Sequence, residues 1–180
     1  MDTGDFVNSV INKQSGGSEP ASPMRTVVLG IGNELLSDEG IGVHVVKALQ
    51  KMGLPPEIEI YEGGTDGFGL LNIIIETDRL IVIDSLRGES DPGTIYKFDI
   101  EDAPGSPDLF KTSVHQIGIL EVINLSSLIG KTPKTTVIGV EPKTISTGME
   151  LSAQIEAKIP RIIEIILEEL NLSSAIKSNA

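Results

Sequence analysis

The stretch TVVLGIGNELLSDEGIGVHVVKALQKMG, residues 26–53, decides the fold. Thr26 to Leu29 is a short aliphatic, β-branched run of the kind that forms a strand covered on both faces. Gly30-Ile31-Gly32-Asn33 makes the turn that follows. Ser37 is placed to cap a helix from Asp38 to about Met52, with Ile41, Val45, Ala48, Leu49 and Met52 on one stripe and Gly53 closing it. Asp38 and Glu39 in its first turn suit the positive end of the helix dipole. A buried strand handed through a glycine-rich turn to an amphipathic helix is the opening of a parallel α/β sheet.

The same alternation continues along the chain. Glu57 to Tyr61 alternates as a half-buried strand and ends in Glu62-Gly63-Gly64-Thr65. A helical stretch over Gly69 to Glu76 leads to Arg79–Ile83, the clearest buried strand, which ends at Asp84. After the Asp91-Pro92-Gly93 turn, Thr94 to Phe98 reads as an antiparallel edge strand. A loop over Asp102 to Pro107 leads to Ser113-Val114-His115-Gln116, followed by a helix from Gly118 to Leu128 and a strand from Thr135 to Val140. The last helix, Ser152 to Leu170, carries Ile155, Ile159, Ile162, Ile166 and Leu170 on one stripe and is kinked or split by Pro160. The expectation is a single three-layer α/β domain over residues 25–171, a twisted, mostly parallel sheet of about five strands with helices on both faces. Residues 1–24 read as a disordered extension and 172–180 as a polar tail.

Composition narrows the chemistry. The 180 residues include no cysteine, which removes thiolate catalysis and cysteine-ligated metal centres. A formal charge of -12 disfavours nucleic acid or an anionic membrane as partner and suits a cationic one, including a metal ion. Apolar runs fall far short of the roughly 20 residues that span a bilayer, and the first residues lack a signal-peptide core, so a cytoplasmic location is expected.

Open parallel sheets bind ligands beyond the carboxyl ends of their strands. Three strands hand over there to polar groups: Asp38 and Glu39, Glu62 and Thr65, and Asp84. His115, in a loop just before a helix, is expected at the same edge. Two carboxylates and an imidazole make a donor set for a divalent transition metal. Each has a structural alternative: Glu39 as a dipole-stabilising acid, Asp84 as a cap, His115 as a loop histidine bonded to backbone. His44, one turn into the first helix, reads as a packing or surface residue. Gly30-x-Gly32 lacks the third glycine of a dinucleotide fingerprint, Leu35 standing in its place, and neither a P-loop nor a His-Glu-x-x-His helix occurs. A triad of Ser85 or Ser113 with His115 lacks the Gly-x-Ser-x-Gly elbow that exposes the hydroxyl.

Gly30-Ile31-Gly32-Asn33-Glu34-Leu35-Leu36-Ser37-Asp38-Glu39-Gly40-Ile41-Gly42 closely resembles the opening motif of the nickel-iron hydrogenase maturation endopeptidases. The resemblance continues in order through Gly63-Gly64-Thr65, Ile83-Asp84, Pro92-Gly93-Thr94 and His115-Gln116-x-Gly118, over about Thr26 to Leu170. It departs at Glu62, where the family usually has Asp. The resemblance implies a cytoplasmic endopeptidase, expected as a monomer, that removes a C-terminal extension from the nickel-iron hydrogenase large-subunit precursor after nickel insertion. It implies Glu39, Asp84 and His115 as metal-binding residues, with nickel carried by the substrate and zinc or cadmium able to occupy the same donors in vitro; they are the catalytic candidates as well. Glu62, Gly63, Gly64 and Thr65 are the candidates for substrate recognition. An alternative from a different class is a non-catalytic, metal-binding accessory or chaperone that inspects the precursor without cutting it.

Overall fold

The computed structural model describes residues 24–65, 68–102 and 114–172. The extension and tail expected at the two ends lie almost wholly outside the described residues, as do Asp66, Ser113 and the loop over 103–112. Of His115 only the backbone is described.

The chain forms β1 (Thr26–Ile31), α1 (Ile41–Met52), β2 (Ile58–Gly64), α2 (Leu71–Ile75), β3 (Arg79–Ser85), β4 (Ile95–Asp99), α3 (Val114–Ile129), β5 (Lys134–Val140), α4 (Ala153–Glu156) and α5 (Ile159–Glu169). The sheet has five strands in the order β2-β1-β3-β5-β4, all parallel except β4, which runs antiparallel on β5 at the edge. Successive strand side chains point to opposite faces, and two cores result. Val28, Ile81, Ile83, Ile138 and Val140 pack with Ile41, Val45 and Leu49 of α1 and with Ile155, Ile162 and Ile166 of α4 and α5. Val27, Leu29, Leu80, Val82 and Val137 pack on the other face with Ile74 of α2 and Ile119, Val122 and Ile123 of α3. The three-layer architecture is therefore as the sequence pattern implies.

Several boundaries differ from the sequence reading, each for a local reason. Ser37 does not cap α1: it sits in a 3-10 turn, Ser37–Gly40, with φ of 50°, and its hydroxyl donates to the Ser146 carbonyl at 2.9 Å. The α-helix proper starts at Ile41 and ends, as expected, at Gly53 in a left-handed conformation. Met52, assigned to the apolar stripe, is exposed in the last turn. α3 begins at Val114, so His115 lies in the first turn of a helix and not in a loop before it. Gly118 falls inside that helix, because a helical glycine costs only about 1 kcal/mol against alanine and packing outweighs it. The last helix is split ahead of Pro160, between Glu156 and Ile159, and Pro160 occupies the first turn of α5, where its missing N–H costs nothing.

Candidate active site

With strand order β2-β1-β3, the chain leaves β1 for one side and returns to the other, so the crevice lies at the carboxyl ends of β1 and β3. The start of α1 is wedged into it. A Cβ on Gly42 would lie 2.2 Å from both the Ile31 and Ile83 carbonyl oxygens, and one on Gly30 would lie 2.2 Å from the Gly42 oxygen. Only glycine lets the helix approach both strand ends this closely. The preceding 3-10 turn carries Glu39 and packs against β3. Glu39 is 8% exposed and Asp84, near the end of β3, is 2% exposed. Asp84 accepts the Ser85 backbone N–H through Oδ1 at 2.7 Å. Two carboxylates far apart in sequence are thus buried at one edge.

α3 leads into β5, which is parallel to β3, and so its first turn, with His115, starts from the carboxyl edge of the sheet. Its side chain lies outside the described residues. Among the described residues no three His, Asp or Glu side chains form a cluster able to hold a metal. Ser85, considered as a nucleophile, is buried within β3.

Glu62, Gly63, Gly64 and Thr65 gather on the other side of β1. Gly30 pairs with Glu62 but Ile31 with Gly64, which leaves Gly63 as the extra residue of a β-bulge, a device common beside active sites. A Cβ on Gly63 would strike Ile31 and Leu29 side chains at 2.6 and 2.9 Å, and Gly64 has φ of 53° while its carbonyl accepts the Gly32 N–H at 3.0 Å. The loop lines a cavity of about 470 Å³ with Gly32, Asn33, Glu34, Leu35, Val43 and Met149. Lys47 donates to Glu34 at 2.6 Å and stands 3.8 Å from Glu62. Beside Glu34 first and Glu62 second, its ammonium holds its proton above the ordinary lysine range.

A hydrogenase maturation protease family model matches residues 43–169. The hydrogenase 2 maturation protease of Escherichia coli (strain K12) is 39% identical over 155 residues, 83% of this chain and 93% of that protein. This chain belongs to the hydrogenase maturation protease family. The hydrogenase expression/formation protein HupD of Rhizobium leguminosarum is 37% identical over 154 residues, 84% of this chain and 76% of its own. Among solved structures, the Escherichia coli hydrogenase maturating endopeptidase HybD matches with a TM-score of 0.76 at 38% identity, covering 83% of this chain and 94% of that one. The NiFe hydrogenase maturation protease HybD from Thermococcus kodakarensis matches with a TM-score of 0.68 at 30% identity, covering 82% and 99%. The family model starts inside α1, just past the Gly30–Gly42 motif.

Two buried carboxylates of this family member do work that sequence reasoning missed. Asp38 is fully buried and accepts four hydrogen bonds from the segment after β5: Lys143 N–H (3.0 Å), Thr144 N–H (2.9 Å), Ser152 N–H (2.7 Å) and the Ser152 hydroxyl (2.9 Å). Glu141 accepts Gly88 N–H (2.7 Å), Ser90 N–H (3.3 Å) and the Tyr96 hydroxyl (2.6 Å), tying down the loop before β4. Burial first and Glu141 second push the Tyr96 phenol above its usual value. Nothing in the spacing reveals Asp38's role, since its partners lie more than 100 residues downstream. His44 is half-buried in α1 and lines a second cavity of about 380 Å³ with Met149, Leu151 and Ile159. Among the described residues its buried Nε2 has no hydrogen-bond partner. No described helix is long and apolar enough to cross a membrane.

Proposed function

We propose that this chain is the endopeptidase that removes the C-terminal extension of the nickel-iron hydrogenase large-subunit precursor once nickel is in place, acting as a cytoplasmic monomer. The observation that carries the reading is the pair Glu39 and Asp84, both buried where the start of α1 meets the carboxyl ends of β1 and β3 at the topological switch point. The donor set suits a divalent transition ion: two carboxylate side chains fixed on rigid elements, with an imidazole carried by the first turn of α3. Nickel enters as part of the client, and Glu39, Asp84 and His115 accept the ion that the precursor presents. A divalent ion held there polarises a carbonyl oxygen set against it. Glu62, Gly63, Gly64 and Thr65 take the precursor segment: Gly63 lets the bulge sit tight on Ile31 and Leu29, and the missing side chain of Gly64 leaves open space for a peptide.

Nickel gating follows from charge. An edge with two buried carboxylates, in a chain of formal charge -12, favours a client segment that brings a cation over the same segment without one. A precursor without nickel therefore docks without its anchor and is not cut. The test is the mass of the precursor, nickel-loaded or nickel-free, after incubation with the folded protein. Loss of a C-terminal peptide from the loaded form alone is expected. Equal cleavage of both ends the gating idea, and a stable complex without any change in mass supports the accessory reading instead.

A further inference from the structure

We propose that Asp38 is a positioning residue for client docking, which holds the 143–152 segment against Leu35–Ser37 so that Met149 forms one wall of the recognition cavity. The inference rests on the endopeptidase reading only for what fills that cavity. The segment is tied at both sides of Met149. On one side Gly148 accepts the Ser37 N–H at 2.8 Å and donates to the Leu35 carbonyl at 3.0 Å, and Leu36 and Gly148 form a parallel bridge. On the other, Ser152 gives both its N–H and its hydroxyl to Asp38. Between these ties Met149 is 64% exposed, faces the Gly63–Gly64 loop across the 470 Å³ cavity and also lines the 380 Å³ cavity with His44. A flexible, polarisable thioether on a fixed backbone is a surface that adapts to an apolar side chain of an extended peptide. Glu39 and Asp38 are neighbours in sequence with separate tasks: among the described residues, all four hydrogen bonds to the Asp38 carboxylate come from this segment.

A carboxylate is required for that clamp. Oδ1 accepts one N–H and Oδ2 accepts two N–H groups and a hydroxyl, so both oxygens face donors. An asparagine amide presents an NH2 to one of these sets, donor against donor, in a site with no room to turn outward. Three variants test the proposal: Asp38→Asn, Met149→Ala on the exposed wall, and Ile166→Ala in the core of α5 as a control for lost stability. Read through steady-state cleavage of loaded precursor, Asp38→Asn is expected to raise KM about 10-fold with kcat within about threefold, the pattern of lost binding. Amide exchange over residues 143–152 is expected to accelerate in the same variant. Met149→Ala raises KM with an unchanged melting temperature, and Ile166→Ala lowers the melting temperature with KM unchanged. An unaltered KM in Asp38→Asn or Met149→Ala, or an equal rise in Ile166→Ala, overturns the proposal. Failure of the endopeptidase reading is seen separately, as no cleavage by the unaltered protein. Exchange over 143–152 in Asp38→Asn then still decides the clamp, and unchanged protection there refutes it.

Discussion

Replacing Gly42 by alanine should destabilise this protein, although the same change in most helices does the reverse. Gly42 is the second residue of α1, and a helical alanine is ordinarily preferred to glycine by up to about 1 kcal/mol. Here the added methyl would sit 2.2 Å from the Ile31 oxygen and 2.2 Å from the Ile83 oxygen, both backbone atoms, against a working minimum of 3.0 Å. Neither can rotate away. Relief requires α1 to lift off the sheet or β1 and β3 to part at the switch point, and both strands are bonded along their length to each other and to their neighbours. Overpacking of this kind costs about 1–3 kcal/mol, and two backbone contacts place Gly42→Ala near the upper end. After the helix preference is returned, about 2 kcal/mol of stability is lost, which in a domain of this size lowers the melting temperature by about 4–8 °C. Lifting α1 also moves the Ser37–Gly40 turn, and with it Glu39, away from Asp84, so precursor cleavage should fall by more than the loss of folded protein explains. Calorimetry or urea melts, with cleavage assayed well below the transition, measure both effects. A melting temperature equal to or above that of the unaltered protein would refute the steric account of the glycine motif.

Asp84→Asn and His115→Ala should each abolish cleavage while moving thermal unfolding by only a few degrees, because the amide oxygen introduced by Asp84→Asn still accepts the Ser85 N–H; full retained activity removes that residue from the mechanism. The Arg25 guanidinium, bonded to both Glu59 oxygens at 2.6 and 2.9 Å, holds that carboxyl down at about 2, with the Tyr61 hydroxyl assisting. A folded-state value below the unfolded one means stability that is present above the ordinary glutamate range near 4.5 and is lost as pH falls toward 2. Asp78 and Glu169 shift in the same direction, so urea midpoints should drop across that window, and Glu59→Gln should flatten the drop. Glu141→Ala leaves Gly88 N–H, Ser90 N–H and the Tyr96 hydroxyl without their acceptor and should cost about 1–3 kcal/mol, whereas Glu141→Gln keeps an acceptor oxygen and should cost less; chemical denaturation separates the two.

The parts of the fold that were legible in the sequence are those in which local pattern and tertiary burial agree. β1, β3 and β5 are largely apolar runs because each is covered on both faces, and β4 was legible as an edge because the Asp91-Pro92-Gly93 turn before it signals a reversal. The positions of Glu39 after β1 and of Asp84 near the end of β3 were legible for the same reason, because strand ends are visible in sequence. What stayed hidden depends on atoms brought together only by the folded chain. Ser37 looks like a cap by its type and position, yet its hydroxyl is claimed by Ser146, 109 residues away. The boundary at Gly118 failed because packing of α3 on the sheet outweighs a weak local propensity.

Asp38 and Glu39 show how far residue type is from residue role. Both are acids in the first turn after a buried strand, both are buried in the fold, and either fits a helix dipole or a metal site by sequence alone. What separates them is the partner set. A buried carboxylate is tolerable when enough donors replace its water. Asp38 receives four donors from one distant segment, one on Oδ1 and three on Oδ2, which replace its water and make it a structural anion. Glu39, one residue on, makes none of these bonds and lies in a 3-10 turn packed against β3, near whose end Asp84 sits. A 3-10 turn advances about 120° per residue, whereas an α-helix advances about 100°. Had the helix begun at Asp38, as its propensities suggest, the angle between the two acids would differ. The short 3-10 turn, followed by the close seating of Gly42 on two strand carbonyls, therefore sets the angle between these neighbouring acids.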